Sequence, residues 1–266
     1  MRRDSNPDFI ESIARGLDVI RSFDAAHPAM TLSEVANRSE LPRPTARRIL
    51  TTLELLGYAH RVQDAFMLTP RVLELGTAYI GSMNIWQIVR PNLVELVAQT
   101  HESCSIAQLD GSDIVYVARV AVPKLVTLSV TIGTRFPALA TSLGKVLLAS
   151  LEPTELDEVL ATPSRSGVSP RWQPDRRELD SVLRGVRERG WAVTDEQLAL
   201  GIRSVATAVT DGTGRTVAAV NVNASSAETS LETLVDHHLP LLREAAAAIG
   251  RDWAAWHARP FLTTPI

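Results

Sequence analysis

The hydrophobic residues of this chain repeat every three or four positions in its first part, and they alternate with polar residues in several later segments. The first spacing is typical of amphipathic helices, and alternation is typical of strands with one buried face. The helical spacing predicts helices at 10–23, 32–39 and 44–56. Alternation on both sides of a polar turn then predicts two short strands, 58–62 and 65–68. Three helices followed by a hairpin predict a winged helix-turn-helix.

Two prolines separate the second of these helices from the third. Each proline disfavours helical backbone in the residue before it, and Pro44 can occupy the first turn of a new helix after the break at Pro42. Thr31 carries a hydroxyl suited to cap the second helix. Gly57 is the expected C-cap of the third. This is the layout in which the later helix of the pair enters the major groove of DNA.

The third helix keeps its polar residues away from its apolar stripe, and several of them are basic. Arginine can bond guanine edges or phosphates, and threonine can contact a phosphate or a thymine methyl group. Between residues 36 and 63, five arginines stand against two glutamates, a local excess of three positive charges in a chain of net charge −3. We predict that double-stranded DNA is contacted by Arg43, Thr45, Arg47, Arg48, Thr51 and Arg61. The alternative is a solvated helix face in a protein that does not bind DNA.

The rest of the chain predicts a linker helix and a second domain. A helical pattern at 69–82 follows the hairpin, and another at 85–100 is interrupted near Pro91. Further helices are predicted at 141–151, 154–161, 175–189 and 229–255. Strands are predicted at 105–109, 113–120, 126–132, 204–210 and 216–223.

Hairpins, rather than βαβ units, connect the predicted strands, which favours an α+β fold with a curved antiparallel sheet flanked by helices. The predicted domains are a winged helix-turn-helix at 9–68, a linker helix at 69–84 and a second domain at 85–256. A chain of 266 residues with 45% hydrophobic residues is long enough for two such cores.

Composition narrows the compartment and the chemistry. No apolar run approaches the roughly 20 residues that span a bilayer, and residues 1–8 are polar and charged, so we expect a cytoplasmic protein that does not contact membrane. Cys104 is the only cysteine, which excludes an internal disulfide and a cysteine-based zinc site. The six histidines are scattered. We therefore predict no metal and no cofactor.

An enzyme is the alternative from another class of function. The segment 141–145 resembles a phosphate-binding loop, but Leu139 stands where that motif requires its first glycine. The chain also lacks a Gly-x-Ser-x-Gly elbow. Asp195 and Glu196 would point to opposite faces of a strand, so they cannot act as a close carboxylate pair. They are expected to end the strand or to bond neighbouring backbone, and we predict no catalytic residue.

Several segments carry a family likeness. In order along the chain, the segments at 113–117, 137–145 and 201–206 follow the helix-turn-helix, the wing and the linker helix. The chain in this way resembles, over nearly its whole length, the IclR family of bacterial transcription regulators. The segments at 9–17 and 41–48 are similar to the branch of that family that regulates aromatic-acid catabolism through the β-ketoadipate pathway.

This resemblance implies a GAF-like second domain that binds a small carboxylic or aromatic acid as effector. It also implies that the protein binds operator DNA as a homodimer or a dimer of dimers. The implied pocket lies between the sheet and the helix that starts near Thr141. Its implied lining is Leu125, Leu128, Ser142, Leu143, Thr194, Ile202, Ser204, Asn221 and Asn223.

Independent of the resemblance, the chemistry of these residues suits an acid. The backbone N–H groups and the dipole at the start of a helix at 142–144 favour a carboxylate. Asn221 and Asn223 share one face of a strand, where a buried amide is unfavourable without a hydrogen-bond partner. Family members often carry serines on this last strand, so the asparagines here indicate a larger or differently polar effector.

Two alternatives remain for the second domain. The asparagines can belong to a structural polar network, or lie on the outward face of the sheet. The domain can also serve only to dimerise a DNA-binding scaffold, with a pocket that no longer senses a ligand.

Overall fold

The computed structural model describes residues 7–83, 85–123 and 130–258 of the chain. Contacts divide the chain into two units, Met1–Ser82 and Met83–Ile266. The boundaries 9–68, 69–84 and 85–256 stay a prediction. None of the helices within the described ranges is long and apolar enough to cross a membrane.

The first unit is a small helical core with a three-stranded sheet. Its helices are α1 (Glu11–Arg21), α2 (Leu32–Arg38), α3 (Arg43–Leu55) and most of α4 (Leu73–Met83). Its strands are β1 (Ala29–Thr31), β2 (Ala59–Val62) and β3 (Ala65–Leu68), arranged antiparallel in the order β1-β3-β2. The core beneath them consists of Val19, Met30, Val35, Leu50, Leu53, Ala59 and Phe66. This is the winged helix-turn-helix expected from the sequence.

The ends of the helix pair follow from local chemistry. The Thr31 hydroxyl accepts the Glu34 N–H, and the Glu34 carboxylate accepts the Thr31 N–H at 2.7 Å, which forms a capping box at the start of α2. Pro44 lies in the first turn of α3, as predicted. Gly57 has φ of +80°, a left-handed conformation that favours glycine and ends the helix.

The second unit is a six-stranded antiparallel sheet with helices on both faces. Its helices are α5 (Ile85–Thr100), α6 (Ser142–Ala149), α7 (Pro153–Ala161), α8 (Arg176–Arg189) and α9 (Leu239–His257). Its strands are β4 (Ser103–Asp110), β5 (Asp113–Val120), β6 (Arg135–Pro137), β7 (Trp191–Asp195), β8 (Ile202–Thr210) and β9 (Thr216–Ser225). The strand order is β6-β5-β4-β9-β8-β7. The predicted α+β fold class is confirmed.

Alternation along the strands gives the sheet two buried faces. Cys104, Val205 and Val222 belong to one hydrophobic cluster together with residues of α5 and α9. Ala206 and Ala219 belong to a second cluster together with residues of α6 and α8. Side chains on the same face of the sheet as Ala206 therefore face α6. We call this the α6 face, and several polar side chains of the sheet lie on it.

Three helix predictions were wrong in detail. Helix α5 continues through Pro91, although an interruption was expected there. Proline cannot bond the carbonyl four residues earlier, but Gln87, which carries that carbonyl, is exposed and can bond water. The predicted helix at 69–82 begins instead with a 3-10 turn, Pro70–Val72, before α4. The last helix likewise has a π-helical turn at Thr233–His238, because Pro240 lacks the N–H that would bond Asp236.

The strand predicted at 126–132 was also wrong where it can be compared. Residues 124–129 lie outside the described residues, and residues 130–132 are not in a strand. The sheet edge is formed by β6, which pairs with β5 after a turn at Gly133. Strand β6 has three residues, as does β1, and so short a segment carries no detectable alternation.

Candidate functional site

Helix α3 presents several arginines to solvent. Ala46, Leu50 and Leu53 hold it to the core of the first unit. On its remaining surface the exposed polar side chains are Arg43, Arg47, Arg48, Thr51, Thr52 and Glu54, and Thr45 is half-buried. Among the described residues, none of these arginines has a carboxylate partner.

Arg38 shows what a structural arginine looks like in the same unit. Its Nη2 lies 2.6 Å from Asp24 Oδ2, and its Nε donates to the Ser22 carbonyl at 2.9 Å. Within the described ranges the side chains of the α3 arginines have neither kind of contact, which leaves them available to neutralise phosphates or to bond bases.

The wing adds a further cation. Arg61 lies exposed on β2, and its guanidinium carbon lies 5.3 Å from the centroid of the Phe66 ring. The turn beyond it contains Gln63 with φ of +56°. The wing and α3 thus carry all six residues predicted to contact DNA, and the role of each residue stays a prediction.

In the second unit, cross-strand pairing aligns polar residues on the α6 face. Thr194 of β7 pairs with Ser204 of β8, which pairs with Asn223 of β9, which pairs with Ser103 of β4. In the next row, Asn221 of β9 pairs with Ser105, and Ser105 pairs with Arg119 of β5. We call these two rows the polar rows. Directly opposed residues share a sheet face, so the two rows line one surface.

Hydroxyl groups connect the first row to α6. The Ser204 hydroxyl lies 2.7 Å from the Ser142 hydroxyl and 2.9 Å from that of Thr194, and all three residues are buried. In the second row, Asn221 Oδ1 is buried without a hydrogen-bond donor among the described residues. A buried amide oxygen in that state is unfavourable by about 1–3 kcal/mol, so Asn221 Oδ1 calls for a donor beyond the described residues.

A narrow cavity of about 20 Å³ opens between the polar rows and Ala140 and Thr141, which directly precede α6. That volume is enough for roughly one water molecule. The cavity is lined by Tyr116, Val130, Ala140, Thr141, Thr194, Leu198, Ile202, Ser204, Asn221 and Asn223.

Five of the predicted effector-binding residues line this cavity: Thr194, Ile202, Ser204, Asn221 and Asn223. Ser142 reaches it through its hydrogen bond to Ser204. Leu143 is fully buried in the cluster beneath α6, and Leu125 and Leu128 lie outside the described residues. The structure brings most of the predicted set together, and binding by each member stays a prediction.

The carboxylates at the end of β7 hold a turn. The Asp195 carboxylate pairs with Arg203 at 2.9 Å. Glu196 Oε1 accepts the Gly201 N–H at 3.0 Å and the Ser226 hydroxyl at 2.7 Å, and these bonds lower the pKa of Glu196. Asp195 and Glu196 therefore bind neighbouring residues and fix the turn at 196–201. Leu198 in this turn lines the cavity.

Lys145 is a buried cation on α6. Its side chain is 2% exposed, its ammonium bonds Gln197 Oε1, and it lies 4.2 Å from the centroid of the Trp172 ring. Burial lowers the pKa of Lys145 to about 7, Arg189 acts in the same direction, and Glu178 opposes them. Neither Gln197 nor Trp172 neutralises the charge, so protonated Lys145 opposes folding of the second unit.

Replacing Lys145 with methionine should therefore flatten the pH dependence of stability. Between the folded pKa of about 7 and the ordinary value of 10.5, the unfolded chain binds more protons at Lys145, so the wild type gains stability as pH rises. The difference between wild type and Lys145→Met should change by on the order of 1 kcal/mol per pH unit between pH 7 and 9. Urea unfolding, followed by tryptophan fluorescence, measures it. Parallel pH profiles for the two proteins would contradict the expectation.

Comparison with known proteins agrees with both units. Residues 12–63 match the IclR helix-turn-helix domain, and residues 77–251 match the bacterial transcriptional regulator IclR C-terminal domain. The chain belongs to the IclR family of transcriptional regulators. It is a DNA-binding regulator, as predicted, and its relatives are named as regulators rather than as enzymes.

Three similar proteins illustrate the match. The Pca regulon regulatory protein of Pseudomonas putida is 37% identical over 242 residues, which cover 91% of this chain and 83% of that protein. The p-hydroxybenzoate hydroxylase transcriptional activator of Acinetobacter baylyi is 33% identical over 244 residues, 90% of each chain. The crystal structure of an IclR homolog complexed with 4-hydroxybenzoate, from Microbacterium hydrocarbonoxydans, has a TM-score of 0.77 and 25% identity, and covers 92% of this chain and 99% of that one.

Proposed function

We propose that this regulator controls genes for aromatic-acid catabolism, and that it responds to a small aromatic acid bound between the polar rows and α6. The observation that carries the proposal is the Asn221 amide oxygen, which is buried beside the cavity and receives no donor from the part of the chain that the structure describes. Operator DNA and the effector are its partners, and the cytoplasm, where bacterial operators lie, is its proposed compartment.

The relatives support the aromatic class. One is named for activating p-hydroxybenzoate hydroxylase, and a solved homolog is described as complexed with 4-hydroxybenzoate. The cavity of about 20 Å³ is too small for a benzene ring, so binding must widen it. We propose that the widening moves the start of α6 away from the sheet, and a ligand that favours the wider state shifts the population toward it.

Coupling to DNA requires two states with different operator affinities. We propose a homodimer or a dimer of dimers in which the linker helix, 69–84, sets the spacing between two wings. The effector then changes operator affinity only by as much as it binds one spacing better than the other. A second domain that only dimerises the protein is the competing function, and it requires no ligand.

Thermal unfolding of the full-length protein against aromatic acids and pathway intermediates tests the proposal. The panel contains 4-hydroxybenzoate, protocatechuate and β-ketoadipate. A ligand that binds the native state alone raises the unfolding temperature in a dose-dependent way. A shift from one aromatic acid supports the sensor, and no shift from any compound supports the competing function.

Asn221→Ala and Ser204→Ala should each reduce the response to the effector. Both residues border the cavity, and loss of one hydrogen bond to a ligand weakens binding by about 0.5–1.5 kcal/mol. Operator binding without effector should stay unchanged, because the residues predicted to contact DNA lie in the first unit. Fluorescence anisotropy of a labelled operator, titrated with and without the acid, measures both.

Ser181→Ala is the matched control, since Ser181 is exposed on α8. Its effector response should equal that of the wild type. An undiminished response in both Asn221→Ala and Ser204→Ala would show that the effector binds elsewhere.

A further inference from the structure

Arg119 lies on the α6 face, in the same row of the sheet as Asn221, which lines the cavity. It stands opposite Ser105 of β4, which in turn stands opposite Asn221 of β9. Its Nη1 donates to the Ser105 hydroxyl at 2.9 Å. The guanidinium therefore extends from β5 across β4, toward the strand that carries Asn221. Sequence reasoning did not place Arg119 in the site.

The guanidinium of Arg119 is incompletely satisfied. Its Nε is buried, and it has no acceptor among the described residues. The other partly buried arginines of this sheet have carboxylate partners: Arg203 pairs with Asp195 at 2.9 Å, and Arg135 pairs with Asp110 at 2.7 Å. Within the described ranges, Arg119 has no such partner. Burial lowers its pKa, and the groups that oppose this effect are Tyr116 and Cys104 rather than a carboxylate.

A half-buried arginine without a counter-ion is unfavourable, and a carboxylate is the group that the planar guanidinium binds best. The start of α6 is less available as the anchor, because the Thr141 hydroxyl already accepts the Gly144 N–H at 2.9 Å. The Ser142 hydroxyl is likewise engaged by Ser204.

We propose that Arg119 binds the carboxylate of the effector, and that the effector is a hydroxylated aromatic monocarboxylic acid. This inference rests on the proposed function. Arg119 Nε on β5 offers a donor, and Asn221 Oδ1 on β9, two strands away, needs one. Two strand spacings separate their backbones by roughly 10 Å, and the arginine side chain spans part of that distance. A ring with a carboxylate at one end and a hydroxyl at the other fits both groups, whereas a second carboxylate would face the Asn221 oxygen.

The test compares an acid with a neutral analogue of the same shape. Full-length wild type and Arg119→Gln are titrated by calorimetry with 4-hydroxybenzoate and with 4-hydroxybenzamide. Arg119→Gln should weaken the acid by on the order of 10- to 100-fold, as expected for a hydrogen bond to a charged group. The affinity for the amide should change by less than about threefold, because the amide carries no charge to lose.

Two further variants serve as controls for this experiment. Arg184→Gln removes one charge from an exposed position on α8, and it should leave both affinities unchanged. Arg119→Lys keeps the charge but lacks the planar pair of donors, so it should bind the acid with intermediate affinity. It also serves if Arg119→Gln fails to fold, in which case a Lys variant with full affinity for the acid overturns the proposal.

The possible outcomes distinguish a failure of the Arg119 assignment from a failure of the proposed function. If the wild type binds the acid and Arg119→Gln binds it equally well, the assignment of Arg119 is wrong while the sensor stands. Equal loss of acid and amide overturns the assignment too, since it shows that Arg119 only supports the fold. If the wild type binds no member of the aromatic panel, the proposed function fails and the assignment fails with it.

Discussion

Arg47→Ala and Arg48→Ala should each weaken operator binding by about 1–3 kcal/mol. Both arginines are exposed on α3, and among the described residues neither has a carboxylate to compete with DNA. Thr51, one turn after Arg47, lies on the same surface. The measurement is anisotropy of a labelled operator, selected from a random duplex pool with the wild-type protein.

The pattern of loss identifies the contact that each arginine makes. An arginine that reads a guanine should lose affinity for the operator and keep its affinity for an unrelated duplex. An arginine that holds a phosphate should weaken both duplexes equally and reduce the salt dependence of binding by about one ion.

Arg38→Ala provides the control within the same unit. It removes the same charge, but from a guanidinium engaged by Asp24 and the Ser22 carbonyl, so its main effect should be on the stability of the unit. Wild-type affinity in both α3 variants would show that another face of the unit contacts DNA.

The sequence specified the DNA-binding unit well, because its signals are local. Thr31 caps α2, Pro44 opens α3 and Gly57 ends it, and each does so within one turn of the chain. Strand β1 escaped prediction because three residues show no periodicity, and because its pairing with β3 joins segments that lie more than thirty residues apart.

The candidate site was predicted only where alternation is regular. Asn221 and Asn223 are two residues apart on β9, so their shared face follows from the sequence. Tyr116 and Arg119 are three apart on β5, and in a regular strand they would face opposite sides. The pairing of β4 with β5 shifts between Ile106 and Ala107, since Ile106 opposes Ala118 and Ala107 opposes Tyr116. This bulge brings both side chains to the α6 face. No residue type in the segment predicts the bulge.

Replacing Gly144 with alanine should destabilise the second unit by about 3 kcal/mol or more, at the upper end of what overpacking produces. A Cβ at this position would lie 2.1 Å from the Ala138 carbonyl oxygen and 2.3 Å from the Ala138 Cα. Both are backbone atoms, so they cannot move aside as a side chain would. Either the start of α6 or the 3-10 turn Ala138–Ala140 before it must shift.

That shift would also reach the cavity. Ala140 and Thr141 line it, and Ser142 holds Ser204 through the hydroxyl bond at the start of α6. Gly144→Ala should therefore lose effector binding along with stability, while any protein that folds keeps its operator contacts on α3. All five tryptophans lie in the second unit, so urea unfolding followed by their fluorescence reports on that unit.

Gly185→Ala is the matched control, a helical glycine of the same unit. Its Cβ would meet only the flexible Arg189 Nη1, at 3.1 Å. Alanine loses less conformational freedom than glycine in a helix, so this variant should be neutral or more stable by up to about 1 kcal/mol. If Gly144→Ala and Gly185→Ala were equally stable, the close contact with Ala138 would not restrict the residue at position 144. Destabilisation of Gly144→Ala alone would show that the backbones at Gly144 and Ala138 approach closely because glycine has no side chain. That close approach would then set the position of α6 over the polar rows.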